Sequence, residues 1–150
     1  MKDLRLYILM RNDLDSMKAG RAAAQASHAS NAFIHKFGKN EEVKEWANQT
    51  PQGFGTAIVL SGDVKDIEYA LIRTGVCVPS APHEKVVDPD YAIVVTAEIN
   101  RLISSCSNIF LVEHLENGMV CIHREEWTCA YIFGEKEQLT EILGKFPLYS

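Results

Sequence analysis

Residues 4–37 read LRLYILMRNDLDSMKAGRAAAQASHASNAFIHKF, and the rest of the chain is arranged around this run. Leu4 to Met10 is apolar apart from Arg5, which predicts a strand covered on both faces, in the middle of an α/β sheet. From Met17 the spacing turns helical. Ala22, Ala26, Ala29, Phe33 and Phe37 recur at intervals of three or four, a stripe predicted to face the sheet, with small alanines allowing a close approach. Lys18, Arg21, Gln25 and His28, roughly in line with Asn31 and His35, form a second, basic and hydrogen-bonding stripe. Most polar stripes only face water. This one opens from a loop carrying Arg11, Asp13 and Lys18, and in open α/β sheets ligands sit beyond the carboxyl end of a strand. A helix N-terminus there also offers free N–H groups to a phosphate.

Outside this stretch, length and composition set bounds. A chain of 150 residues predicts one domain, which buries roughly 68–70% of its unfolded surface and needs no staples. No apolar run approaches the roughly 20 residues of a membrane span, and MKDLRLYILM is too short and too charged for a secretory segment, so a cytoplasmic protein with no membrane partner is expected. The net charge of −5 is unevenly spread. Residues 1–40 hold seven Lys/Arg and three Asp/Glu, giving +4, while residues 41–150 hold eight and seventeen, giving −9. A local phosphate-binding patch on an acidic body is compatible with that split.

The cysteines, Cys77, Cys106, Cys121 and Cys129, form no CxxC pair and read as reduced core residues. His114, Cys121, His123 and Cys129 have the chemistry of zinc ligands, but adjacent strands bring such residues together by chance, so no metal and no cofactor are expected.

Along the chain, Gly38 is the predicted C-cap of the first helix, and Asn40 opens a short helix over residues 40–49. FGTAIVL at 54–60 reads as a strand, and Asp63 caps a helix over 63–75 closed by Gly75. Residues 76–90, with three prolines, read as a surface loop. YAIVVTA at 91–97 is a strand candidate, followed by EINRLISS, a weak helix candidate. IFLVEHLENGMVCIH is two strands joined at Asn117-Gly118, a hairpin signal that also reads as nothing more than a type I′ turn. WTCAYIF at 127–133 is a last strand, and Glu135 to Phe146 a final helix with Leu139, Ile142, Leu143 and Phe146 inward. Trp46 and Trp127 read as core or half-core aromatics. The expected fold class is α/β: a single domain, a small mixed β-sheet flanked by helices on both faces.

The run RNDL, then M-x-x-G-R, then AAAQASHA resembles the type 2 peptidyl-tRNA hydrolases, whose first strand is followed by Arg-x-Asp-Leu, Met-Gly-x-Gly-Lys and Ala-Ala-Gln-x-x-His-Ala. The likeness extends more loosely through Trp46, the strand at 54–60 and the helix at 63–75, and returns in TCAYIFG and KFPLY. It implies a fold that hydrolyses the ester between a peptide and the 3′ ribose of tRNA, without a metal. Matched position by position, Arg11, Asp13, Gly20, Gln25 and His28 stand as in the family. The family's lysine is Arg21 here. Arginine keeps the positive charge for phosphate or oxyanion but does not donate its proton at neutral pH.

The family's Asp-Ala-Gly-x-Thr loop aligns with Glu116 to Val120, so that Glu116 stands for the water-orienting aspartate and Val120, lacking a hydroxyl, for the threonine. There is one residue more than the pattern between Leu14 and Met17, and 76–108 reads as an insertion. The implied catalytic residues are therefore Arg21, His28 and Glu116, with Arg11, Asp13, Lys18 and Gln25 binding substrate, and tRNA as partner. A homodimer is left open. The alternative is a catalytically inactive member of the fold that binds RNA, nucleotide or protein through the same basic crevice.

Overall fold

A computed structural model describes residues 2–14, 17–95 and 109–150. Its strands are β1 (Leu4–Arg11), β2 (Ala57–Gly62), β3 (His83–Val95), β4 (Ile109–His114) and β5 (Val120–Glu135). Among the described residues the helices are α1 (Ala19–Phe37), α2 (Glu41–Asn48), α3 (Val64–Cys77) and α4 (Lys136–Leu143), with a 3-10 turn at Glu116–Gly118. The sheet runs β2-β1-β5-β3, with β4 paired to β5. It is mixed, since β1 is parallel to β2 and antiparallel to β5. The fold class is thus the expected α/β one.

The residues fall into two compact units, Met1–Val86 with Thr128–Ser150, and Val87–Trp127. In the first, β1 is the buried mid-sheet strand its composition predicts, with Leu4 and residues 6–11 all buried. Leu6, Ile8 and Met10 lie opposite Phe133, Tyr131 and Cys129 across the β1–β5 ladder, so these six side chains share one face. Helices α1 and α2 cover it. Phe33, fully buried on α1, packs its ring 5.4 Å from Tyr131, 5.1 Å from Phe133 and 5.8 Å from Trp46 of α2. The other face carries Gly62 and Gly134, whose missing side chains leave room for Phe146 and Ile67 at the first and for Leu139 of α4 at the second. Helices α3 and α4 lie there, so the sheet is flanked on both faces.

The local caps follow the sequence. Asn40 Oδ1 accepts the Glu42 N–H at 2.8 Å, and Asp63 Oδ1 the Asp66 N–H at 2.8 Å. Gly38 caps α1 in ordinary right-handed geometry. Gly75, expected to end α3, is followed by two more helical residues, and the Val78 N–H closes the helix on Thr74 O. Past α4 the chain returns along β2: the Ser61 N–H bonds Pro147 O and the Tyr149 N–H bonds Val59 O, both at 2.9 Å.

Three expectations are corrected. Residues 83–90, read as loop from their prolines, are the first part of β3. The strand stands at the end of the sheet order, where the N–H that Pro89 lacks is not required by a neighbour on each side. The strands expected at the hairpin's second arm and at 127–133 are one 16-residue strand, β5. Arg124, Glu125 and Glu126 interrupt the apolar pattern without breaking the strand, because Arg124 and Glu126, on the same side two residues apart, pair at 2.8 Å. Cys77, read as core, is exposed, whereas Cys121 and Cys129 are buried. The EINRLISS helix lies outside the described residues, as does Cys106. The expected insertion at 76–108 overlaps the second unit but does not share its bounds.

In that second unit, β4 and the first part of β5 form the antiparallel hairpin expected around Asn117-Gly118. Its connection is longer than a two-residue turn. The 3-10 turn fills it, Gly118 takes φ +72°, and the Leu115 N–H closes on Met119 O at 2.9 Å.

Candidate active site at the carboxyl end of β1

Arg11 ends β1 with its side chain 9% exposed, and the parallel ladder continues one step further through the Asn12 N–H to Gly62 O. Its guanidinium meets Asp13 in a fork, Nε to Oδ1 at 3.1 Å and Nη2 to Oδ2 at 2.9 Å. This hydrogen bonding from Arg11 holds the Asp13 carboxyl below the usual carboxylate range, against the opposing effect of its partial burial. The other end of the loop is fixed from the carboxyl-terminal segment: Tyr149 donates its hydroxyl to Met17 O at 3.2 Å, and Met17 N–H bonds Leu14 O. The strand-to-helix loop is thereby tied at both ends. The additional residue between Leu14 and Met17 falls outside the described residues.

Lys18 is the N-cap of α1, exposed, and gives the cap no side-chain bond. Its backbone carbonyl accepts the Ala22 N–H, the first rung of the helix. No acidic residue occupies the first turn, so the positive end of the helix dipole is not offset by a carboxylate within that turn. Gly20 beside it is exposed with open space around it. Arg21 follows half-buried, and His28 lies exposed two turns further along.

Gln25 departs from the polar stripe. It is 5% exposed and belongs to the buried face of α1 with Ala22, Ala29 and Phe33, a place the spacing assigned to Ala26. Thr128 of β5, fully buried, donates its hydroxyl to Gln25 Oε1 at 2.6 Å. Cys129 next to it donates its thiol to the Gln25 carbonyl, and burial raises that thiol to a pKa of about 11, which leaves it inert. Sequence reasoning missed Thr128. A hydroxyl heading the otherwise apolar run TCAYIF, in a strand that must face the alanine-rich helix, is the signal that pointed to it.

Ala26 instead joins Ala19, Ala22 and Ala23 along an open cavity of about 370 Å³ also lined by Val59 and Tyr149. This apolar cavity shares the first two turns of α1 with Lys18 and Arg21. Two polar clefts, of about 290 and 300 Å³, lie around Lys2 and Asp3, at the far end of β1 from Arg11. Eight strand residues, roughly 25 Å, separate the two ends, so those clefts have no part in this site. Glu116 sits in the second unit, exposed, within the 3-10 turn. Val120 is buried at the start of β5.

The family model for peptidyl-tRNA hydrolase PTH2 matches residues 4–68, which span β1, the tied loop, the whole of α1, α2, β2 and the start of α3. Over this stretch, somewhat under half of its length, the chain is similar to that family. Every residue of the β1–α1 site lies inside it, while Thr128, Tyr149 and Glu116 lie beyond. No curated protein matches the chain. Among solved structures, a protein of unknown function from Agrobacterium tumefaciens is similar over 100% of both chains, with a TM-score of 0.54 and 10% identity. At that identity the likeness is one of fold alone. No described helix is long and apolar enough to cross a membrane.

Proposed function

We propose that the chain hydrolyses the ester linking a peptide to the 3′ ribose of tRNA, and that it does so in the cytoplasm. One observation carries this reading: the match to the peptidyl-tRNA hydrolase family falls on the strand, loop and helix whose sequence holds Arg11, Asp13, Lys18, Arg21 and His28. Hydrolysis of such an ester needs a water, a group to orient it or take its proton, positive donors for the oxyanion and cations for the tRNA backbone. Lys18 and Arg21 at the head of α1 supply the cations. Arg21, always protonated, stabilises the oxyanion as a fixed charge and does not serve as an acid.

His28 is assigned the water-side role, because imidazole accepts a proton at neutral pH. Glu116 is assigned, from the family resemblance, as the carboxylate that orients the water. Arg11 and Asp13 shape the loop. Gln25, engaged by Thr128, acts by holding α1 in register against β5 rather than by gripping substrate through Oε1. The apolar cavity beside Ala22 and Ala26 is of a size to take the aminoacyl side chain.

A second reading has its own observation. Val120 is buried and has no hydroxyl where the family resemblance expects a threonine, which favours a member that binds tRNA without cleaving it. Hydrolysis of labelled N-acetyl-aminoacyl-tRNA separates the two, with chelator present throughout. The expected result is turnover by the unaltered chain, lowered about 10²–10³-fold in Arg21→Ala and about 10²–10⁴-fold in His28→Ala, with far-ultraviolet circular dichroism unchanged. Absence of turnover at high enzyme concentration, together with tRNA binding whose salt dependence flattens by about 0.7–0.9 of a unit in Arg21→Ala, establishes the binding reading instead.

A further inference from the structure

In the second unit the antiparallel register sets Glu113 of β4 directly opposite Cys121 of β5. His123, two residues beyond Cys121, returns to the same face of the ladder. Cys121 Sγ lies 3.5 Å from His123 Nε2, and Glu113 Oε2 lies 3.8 Å from that same nitrogen. The three donor atoms all fall within 4.8 Å of one another.

The choice of nitrogen decides what the cluster is. A relay that activates a cysteine puts the thiol at one ring nitrogen and the carboxylate at the other, so that the imidazole passes charge between them. Here both partners meet Nε2, and thiol, imidazole and carboxylate converge on one point. A tetrahedral zinc ion, with Zn–S of about 2.3 Å and Zn–N or Zn–O of about 2.0–2.2 Å, holds neighbouring donors about 3.3–3.6 Å apart. The observed separations need only a small side-chain adjustment to reach that range.

We propose that Glu113, Cys121 and His123 bind one soft divalent transition-metal ion, zinc first among them, with the fourth position open to water. Thiolate and imidazole together select zinc or cobalt over magnesium or calcium, which want oxygen. Cys121 is buried, His123 is partly so and Glu113 is exposed, which gives a closed back and an open front. The β4–β5 ladder places all three before any ion arrives, so little ordering accompanies binding. His114, next to Glu113 in the strand, points to the opposite face by alternation.

The test uses the full chain, stripped with chelator and dialysed, then titrated with Co²⁺ and back-titrated with Zn²⁺. One equivalent of Co²⁺ is expected to give a thiolate-to-cobalt charge-transfer band in the near ultraviolet, which Zn²⁺ abolishes. Cys121→Ser, close in shape to the native residue, is expected to lose the band, and Glu113→Gln and His123→Gln to weaken binding by about tenfold or more. Cys77→Ser, at an exposed thiol elsewhere, keeps it. No band with excess Co²⁺ on a folded chain, or a band that survives in Cys121→Ser, overturns the proposal and leaves a Cys–His hydrogen bond in its place. The readout is metal binding, so it stands or falls separately from tRNA hydrolysis.

Discussion

The two units of the chain use their side chains in opposite ways. In the first, apolar packing fixes the scaffold and the polar groups that matter are few and already engaged inside it: Gln25 with Thr128, Arg11 with Asp13, Tyr131 with Glu84. Burial, and then the bond to Glu84, push the Tyr131 phenol well above its ordinary value, so it stays protonated as a donor. In the second unit the described hairpin exposes Leu111, Glu113, His114, Leu115 and Glu116 in near succession, and backbone register alone brings its reactive groups together. The described packing of the first unit is thus the scaffold to perturb, and the exposed groups of the hairpin are the ones to exchange without disturbing it.

That contrast is open to breakage, most forcefully at Phe33. Phe33→Ala removes the ring shared by Trp46, Tyr131 and Phe133, and a loss of about 3–5 kcal/mol is expected in denaturant unfolding, a drop of roughly 10 °C in Tm. A loss below about 1 kcal/mol would deny the first unit its role as the scaffold. Thr128→Val keeps the shape of the side chain but takes the donor from buried Gln25, and about 1–3 kcal/mol is expected to go with it.

Asp13→Asn comes next. It removes the charge partner of a guanidinium that is 9% exposed, but the Asp13 side chain is itself 34% exposed, so the expected cost, after solvent screening, is about 1–2 kcal/mol at neutral pH. The pH dependence has a definite sign. The folded pKa of Asp13 lies below its unfolded value of about 3.9, so the pair's contribution is complete above that pH and is lost as pH falls through the folded pKa. Acid titration of stability in Asp13→Asn should lack that component below about pH 4. The smallest effect belongs to the second unit: Glu116→Gln, at an exposed turn residue, is expected to leave stability within about 0.5 kcal/mol while lowering turnover. An equal fall in both would mean that this turn is part of the scaffold after all.

How much of this was legible depends on how far apart the interacting residues lie in the chain. Asn40 and Asp63 were readable as caps because each bonds a backbone N–H two or three residues away. The burial of β1 followed from its own composition, and the hairpin from Asn117-Gly118. Gln25 was not readable as buried, since its partner Thr128 stands 103 residues away and only the folded sheet puts them together. The prolines of β3 and the charges at 124–126 carried genuine breaker signals that edge position and an ion pair overrode. His123 was weighed as a zinc ligand only beside His114, Cys121 and Cys129 and set aside, because its meaning depends on Glu113, a residue of another strand, and on which ring nitrogen faces it.

The return of the carboxyl-terminal segment along β2 has a consequence for how the chain behaves in company. Strand β2 ends the sheet order, and an uncovered outer edge offers a template on which another molecule's strand can zip. Pro147 and Tyr149 occupy that edge through Val59 and Ser61. Trimming or prying loose these few residues would release Met17 from Tyr149 and turn a covered edge into a sticky one.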